Sequence, residues 1–218
     1  MHGRRSRTAH PVTGGPRGLT MGAWGVWCTI IIGAMGVAGL GAAALYLQTG
    51  APEWPPEGIT RPGTGRAWLA LGLAVVACVG SLLARQRLRR DAKPDTAVAL
   101  IGTLVAALAS IGVLIADIPA AGFRWDEHAY TSVYWILTAG SAFFLGISAL
   151  MVGAVLVQRI VGLVDPDRML EMDVTVVFLF FSTITAAFLL ALVHYLPVVT
   201  TGEPVPGTGP AAEQEASP

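Results

Sequence analysis

Few side chains in this sequence could do chemistry, and they lie far apart. The candidates are His194 and Asp117, each at or near the end of a long apolar run, the triplet Asp126-Glu127-His128, and two cysteines, Cys28 and Cys78. Ligation of haem or copper needs several His, Met or Cys side chains converging on one point. A single His within the apolar runs and two separated cysteines cannot form such a set, so the chain is expected to bind no cofactor and no metal of its own. Asp126-Glu127-His128 reads as a solvated polar turn, because adjacent loop residues are weak metal ligands. Cys28 and Cys78 read as small buried hydrophobes. No phosphate-binding glycine motif is present, and no Ser–His–Asp arrangement can be placed from spacing. Ionisable groups inside a membrane are costly and hence functional candidates, which singles out His194 and Asp117 for polar or lipid contacts. The plainer reading is preferred for both. His194, beside Tyr195 and Pro197, is expected at the membrane interface, and Asp117, followed by Pro119, is expected to face solvent or a loop amide.

The elements that must position these residues follow from composition. Hydrophobic residues make up 54% of the 218 and charged residues 13%, and mean hydropathy is +0.63; soluble domains carry about 25% charged residues. No Asp, Glu, Lys or Arg occurs between Arg17 and Glu53. A hydrocarbon layer roughly 30 Å thick is crossed by about 20 apolar residues in a helix. Five runs meet that length or approach it: 21–47, 67–84, 96–116, 130–157 and 174–199. Backbone groups in lipid must be satisfied within each segment, so the predicted fold is all-α, a polytopic bundle of five transmembrane helices. The longest runs are expected to tilt or extend beyond the bilayer. The first run is too long for the hydrophobic region of a signal peptide and is read as a retained span.

Residues 1–20 read as a disordered basic tail and 200–218 as a disordered acidic one. Arg4, Arg5, Arg7 and Arg17, then Arg85, Arg87, Arg89, Arg90 and Lys93, then Arg159 and Arg168 fall on one side of the membrane. The other side has Arg61, Arg66 and Arg124, with Glu203, Glu213 and Glu215 in the C-terminal tail. The positive-inside rule predicts a cytoplasmic N-terminus and an external C-terminus. The basic segment 85–93 reads as a topology signal that also suits anionic headgroups, so membrane lipids, and no nucleic acid, are the expected non-protein partners. Trp24, Trp27, Trp68, Trp125, Tyr130 and Tyr195 sit where interfacial anchors belong. The segment from Gln48 to Gly65, with its prolines and glycines, predicts a structured non-helical connection. Small residues recur at fourfold spacing: Ala34, Ala38 and Ala42; Gly102, Ala106 and Ser110; Ala142 with Gly146; and Ala149 with Gly153. These stripes predict close helix packing within the chain.

Three short motifs resemble subunit III of the haem–copper oxidases (cytochrome c and quinol oxidases), in its five-helix bacterial form. Trp54-Pro55-Pro56 follows the first run. Tyr130-Thr131-Ser132-Val133-Tyr134 begins the fourth and is followed by Thr138 and Gly146, similar to that family's Tyr-Gly-Ser-x-Phe…Thr-Gly pattern. The last run ends Leu192-Val193-His194-Tyr195-Leu196. Three positions depart from the family pattern: no carboxylate lies between Trp24 and Tyr46, Ser141 and Phe144 stand where histidines are usual, and Phe180-Phe181-Ser182-Thr183-Ile184 replaces the usual start of the final helix. The resemblance implies a non-catalytic accessory subunit that packs on catalytic subunits I and II, holds lipid and stabilises the oxygen-reducing complex. Haem and copper would belong to those partners. The alternatives are a subunit III-like accessory of a nitric oxide reductase, a small-solute permease, and a free-standing membrane scaffold. A permease would usually show broken helices or a paired charge near the midplane, and neither is evident.

Overall fold

A computed structural model of the chain describes residues 21–51, 53–56, 58–59, 62–90, 93–162 and 169–201, with side chains for all of these but 21–23, 93–94 and 196–201. The expected tails at 1–20 and from 202 onward, together with Arg61 and Arg168, lie outside these residues. The elements are α1 (Met21–Thr49), α2 (Gly65–Arg89), α3 (Lys93–Ala120), α4 (Ala129–Val161) and α5 (Leu170–Thr201). All five are long and apolar enough to cross a membrane, and the described residues contain no strand.

Each helix outruns the apolar segment that signalled it. The second run was expected to stop at Ala84, but α2 continues through Arg85, Arg87 and Arg89 and ends where the Arg90 amide donates to Arg87 O at 3.1 Å. The expected basic loop is therefore mostly the last turns of α2. Likewise α5 reaches Thr201, inside the segment expected as tail, and Arg159 lies within α4 rather than in a loop. A charge marks where side chains reach water, whereas the helical hydrogen-bond ladder continues beyond the hydrocarbon. Arg87 and Arg89 in the last turn of α2, and Glu171 and Asp173 in the first turn of α5, also complement the helix dipoles. At 33 residues α4 spans roughly 50 Å, longer than the hydrocarbon layer, and it closes on Gly162 in the left-handed region at φ +79°.

The helices α2, α3, α4 and α5 form a closed ring, each packing on the next and α5 returning to α2; α1 lies outside it against α5 and, more lightly, α4. The tightest seam, α2 on α3, has a clear chemical cause. The inward face of α2 reads Ala67, Ala70, Ala74, Ala77, Ser81, Ala84, Leu88, alternating three and four residues apart. Between helices in lipid there is little hydrophobic driving force, so close backbone approach and interhelical hydrogen bonds must supply the cohesion. A Cβ on Gly80 would lie 2.6 Å from Thr103 Oγ1, and Ser110 donates to Ala70 O at 2.7 Å. Deeper in the bundle, Ser148 donates to Ser182 at 2.8 Å between α4 and α5.

The expected small-residue stripes are only partly used in this way. Ala106 and Ser110 pack in the α2–α3 seam, but Gly102 faces outward with open space around it. Ala34, Ala38 and Ala42 are exposed. α1 instead docks through Gly33, Val37, Gly41 and Ala44, because it meets large side chains that only bare backbone can accept. A Cβ at Gly33 would sit 3.1 Å from the rings of Phe144 and Phe181, and one at Gly41 would sit 3.2 Å from Phe188 and Leu192. Gly146 and Gly153 border an open apolar groove of about 1050 Å³ between α3 and α4, facing outward with Leu104, Leu108 and Leu150. Cys78 is buried against Thr183 at 3.2 Å, whereas Cys28 is exposed, contrary to the expected burial of both.

Candidate functional site

The most polar buried assembly lies at the end of the bundle that holds the α1–α2 and α3–α4 connections, hereafter the α3–α4 end. Antiparallel neighbours bring together there the start of α2, the end of α3, the start of α4 and the end of α5. These supply Arg66, Asp117, Tyr130 with Tyr134, and His194 respectively, while the connections add Trp54 and Phe123.

Local chemistry sets the start of α4. The His128 amide donates to Thr131 Oγ1 at 3.1 Å, so the first turn is closed by a side chain. Ser132 Oγ donates to Trp125 O at 2.5 Å and fixes the preceding turn. The helix then points Tyr130 and Tyr134 into the bundle. Tyr134 Oη donates to Asp117 Oδ2 at 2.5 Å, and Arg66 Nη1 stands 3.6 Å from Asp117 Oδ1. Asp117 is only 5% exposed. A buried carboxylate without partners would be costly; this one has a phenol on one oxygen and a guanidinium near the other. Arg66 keeps 54% of its side chain exposed, so it adds a hydrated rather than a buried positive charge.

An aromatic cluster packs around Tyr134, the partner of the carboxylate. Trp54 meets Tyr130 edge to face at 5.3 Å, Phe123 meets Tyr134 at 5.3 Å and Tyr130 at 6.1 Å, and the Tyr134 ring meets His194 at 6.3 Å. His194 is 8% exposed, and its buried Nε2 has no hydrogen-bond partner; neither has Thr138 Oγ1, one turn along α4 from Tyr134. Two hollows flank the assembly. One of about 340 Å³ is bordered by Pro62, Gly63, Arg66, Asp117 and Ala120. The other, about 60 Å³, lies beside His194 among Thr64, Ala67, Trp68, Ala191 and Tyr195.

Both polar candidates are therefore buried against other helices. His194 is buried among the helices, because α5 continues past it and its ring packs on Tyr134. Asp117 is bound by side chains of α2 and α4 rather than by a loop amide, with little of it exposed; α3 continues to Ala120 and turns it onto α4. Tyr130 is buried against Trp54, whereas Trp24, Trp27, Trp68 and Trp125 are exposed. Of the family-like positions, Trp54, Tyr130 and Tyr134 come together, with Pro55 and Pro56 half-buried on the same connection. Ser132 is exposed at the rim, and Thr138 is buried below Tyr134. Tyr195 packs on Trp68 at 6.2 Å, and Gly146 lies apart, on the α3–α4 groove. The turn at Asp126-Glu127-His128 is exposed, with Asp126 paired to Arg124 at 3.2 Å.

Two members of the site escaped the sequence reading, Arg66 and Phe123. Arg66 had a usable signal: an Arg just before the second run and an Asp just after the third must lie level if those helices are antiparallel neighbours. Phe123 had none. Among the described residues, no three His, Cys, Asp or Glu side chains are placed to hold a metal ion. The arrangement can hold a proton or exchange hydrogen-bond partners. At the opposite, α2–α3 end, Arg85 Nε meets Asp173 Oδ1 at 2.5 Å, tying α2 to α5, and Arg159 is buried in α4. No protein-family model matches the chain, and no curated protein matches it.

Proposed function

We propose that this chain is a non-catalytic accessory subunit of a respiratory haem–copper oxidase, of the subunit III type. It would lie in a bacterial plasma membrane with its N-terminus in the cytoplasm and its C-terminus outside, so that the α3–α4 end faces outward. One observation carries the reading. Trp54 from the Trp-Pro-Pro connection and Tyr130 from the start of α4 belong to separate resemblance motifs, and they pack edge to face at 5.3 Å with Tyr134 close by. Two distant motifs that meet in space behave as one structural unit.

On this reading haem and copper belong to catalytic subunits I and II, and this chain contributes surface. The outward face of α1, with Ile31, Ile32, Met35 and Tyr46 exposed, and the groove between α3 and α4 offer apolar relief to a protein partner and to lipid. The test is gentle solubilisation from the native membrane, followed by identification of what copurifies. Haem- and copper-containing catalytic subunits that consume oxygen are the expected result. Copurification with a nitric oxide-reducing complex would reassign the partner, and a lone protein that drives solute-dependent uptake in vesicles would overturn the reading.

A further inference from the structure

We propose that Arg66 and His194 are alternative partners of the buried Asp117 carboxylate, so that protonation of His194 exchanges an α2–α3 tie for an α5–α3 tie. The inference goes beyond the oxidase reading and does not depend on it.

Three features of the α3–α4 end carry it. First, the present tie is loose on one side only. Tyr134 holds Oδ2 at 2.5 Å, whereas Arg66 stands 3.6 Å from Oδ1 and is more than half exposed; a good charge-assisted hydrogen bond measures about 2.7–2.9 Å. Arg66 can leave for water at little cost. Second, His194 is inside the bundle with Nε2 unpartnered, and it rests on the same Tyr134 side chain that reaches Asp117. Third, a hollow of about 60 Å³ adjoins His194, so its ring is not packed on every side, and a hollow of about 340 Å³ borders both Arg66 and Asp117, so solvent reaches the tie that would be exchanged.

The charges that face His194 are few. Arg66 comes from α2, Asp117 from α3, Tyr130 and Tyr134 from α4, and Tyr195 adjoins it on α5. On α1, Cys28 and Tyr46 are exposed and point away, and Glu53, Asp126, Glu127 and His128 are exposed on the connections. Asp117 is thus the carboxylate, among the described residues at this end, that a buried imidazolium could use. With His194 neutral, Arg66 and Asp117 balance. When a proton from solvent binds Nε2, the imidazolium cannot stay unpaired in an apolar crease. It takes Oδ1, and the surplus positive charge leaves with Arg66 into water. Histidine is the side chain that makes such an exchange between about pH 5 and 8.

Infrared difference spectroscopy on the full chain in lipid nanodiscs, from about pH 8 to about pH 5, tests this directly. An imidazolium band and a shifted Asp117 carboxylate stretch should appear with one midpoint. The Asp117 shift, assigned by its loss in Asp117→Asn, should vanish in His194→Phe and in His194→Gln, the second variant guarding against misfolding of the first, and should persist in His128→Asn. The imidazolium band should only weaken in the His194 variants, since three other histidines remain. Arg66→Gln removes the competitor and should raise the midpoint by on the order of one pH unit. An Asp117 stretch unchanged across the range, an Asp117 shift that survives both His194 variants, or a midpoint indifferent to Arg66→Gln would each overturn the proposal.

Discussion

The two ends of the bundle both carry a cation–carboxylate pair, and they handle it in opposite ways. At the α3–α4 end the carboxylate, Asp117, is buried, shared by a phenol and a guanidinium, and roofed by Trp54, Phe123, Tyr130 and Tyr134. At the α2–α3 end Asp173 and Arg85 meet directly, with side chains 39% and 33% exposed. The first depends on packing, since Asp117 and Tyr134 are buried and losing either leaves the other short of a partner, although Arg66 stays hydrated. The second is a partly exposed pair whose members can each be hydrated alone. Distance would rank them the other way, because the Arg85–Asp173 contact is the shorter. Burial decides which matters more.

That contrast can be broken by substitution. Asp117→Ala should have the largest effect: it leaves the Tyr134 hydroxyl buried without an acceptor and removes the anchor of Arg66. A loss of roughly 2–3 kcal/mol is expected, read as reversible unfolding in mixed micelles. Tyr134→Phe should come next at about 1–2 kcal/mol, since Asp117 keeps Arg66 and the ring keeps its place against Phe123. Arg85→Ala should cost least, below about 1 kcal/mol, and the cost should shrink further as salt is added. If Arg85→Ala proves as damaging as Asp117→Ala, burial is not what separates the two ends.

Much of the fold could be read from residues. Five runs with almost no charge foretell five helices, and Trp54, Tyr130 and Tyr134 stand out in the sequence motifs and come together in the fold. Helix ends were read short, because charge reports the edge of hydrocarbon while hydrogen bonding continues through Arg89 and back to Leu170. The packing faces were harder. Alanines at fourfold spacing on α1 resembled a docking stripe, yet the helix docks through Gly33 and Gly41, because its neighbours there are Phe144, Phe181 and Phe188. On α2 the alternating alanines from Ala67 to Ala84 did carry the signal of the tightest seam, in a spacing of three and four that a search for fourfold repeats passes over.

By itself the sequence determined how many times the chain can cross a membrane and that its apolar segments are helical. Both follow from single-segment physics, since a bilayer demands a certain apolar length and internally satisfied backbone groups. Only the tertiary structure decided that Asp117 and His194 are interior groups sharing Tyr134, and that Arg66 belongs with them. Those facts depend on which helices become neighbours and how each is rotated, and rotation is settled by side chains on other helices.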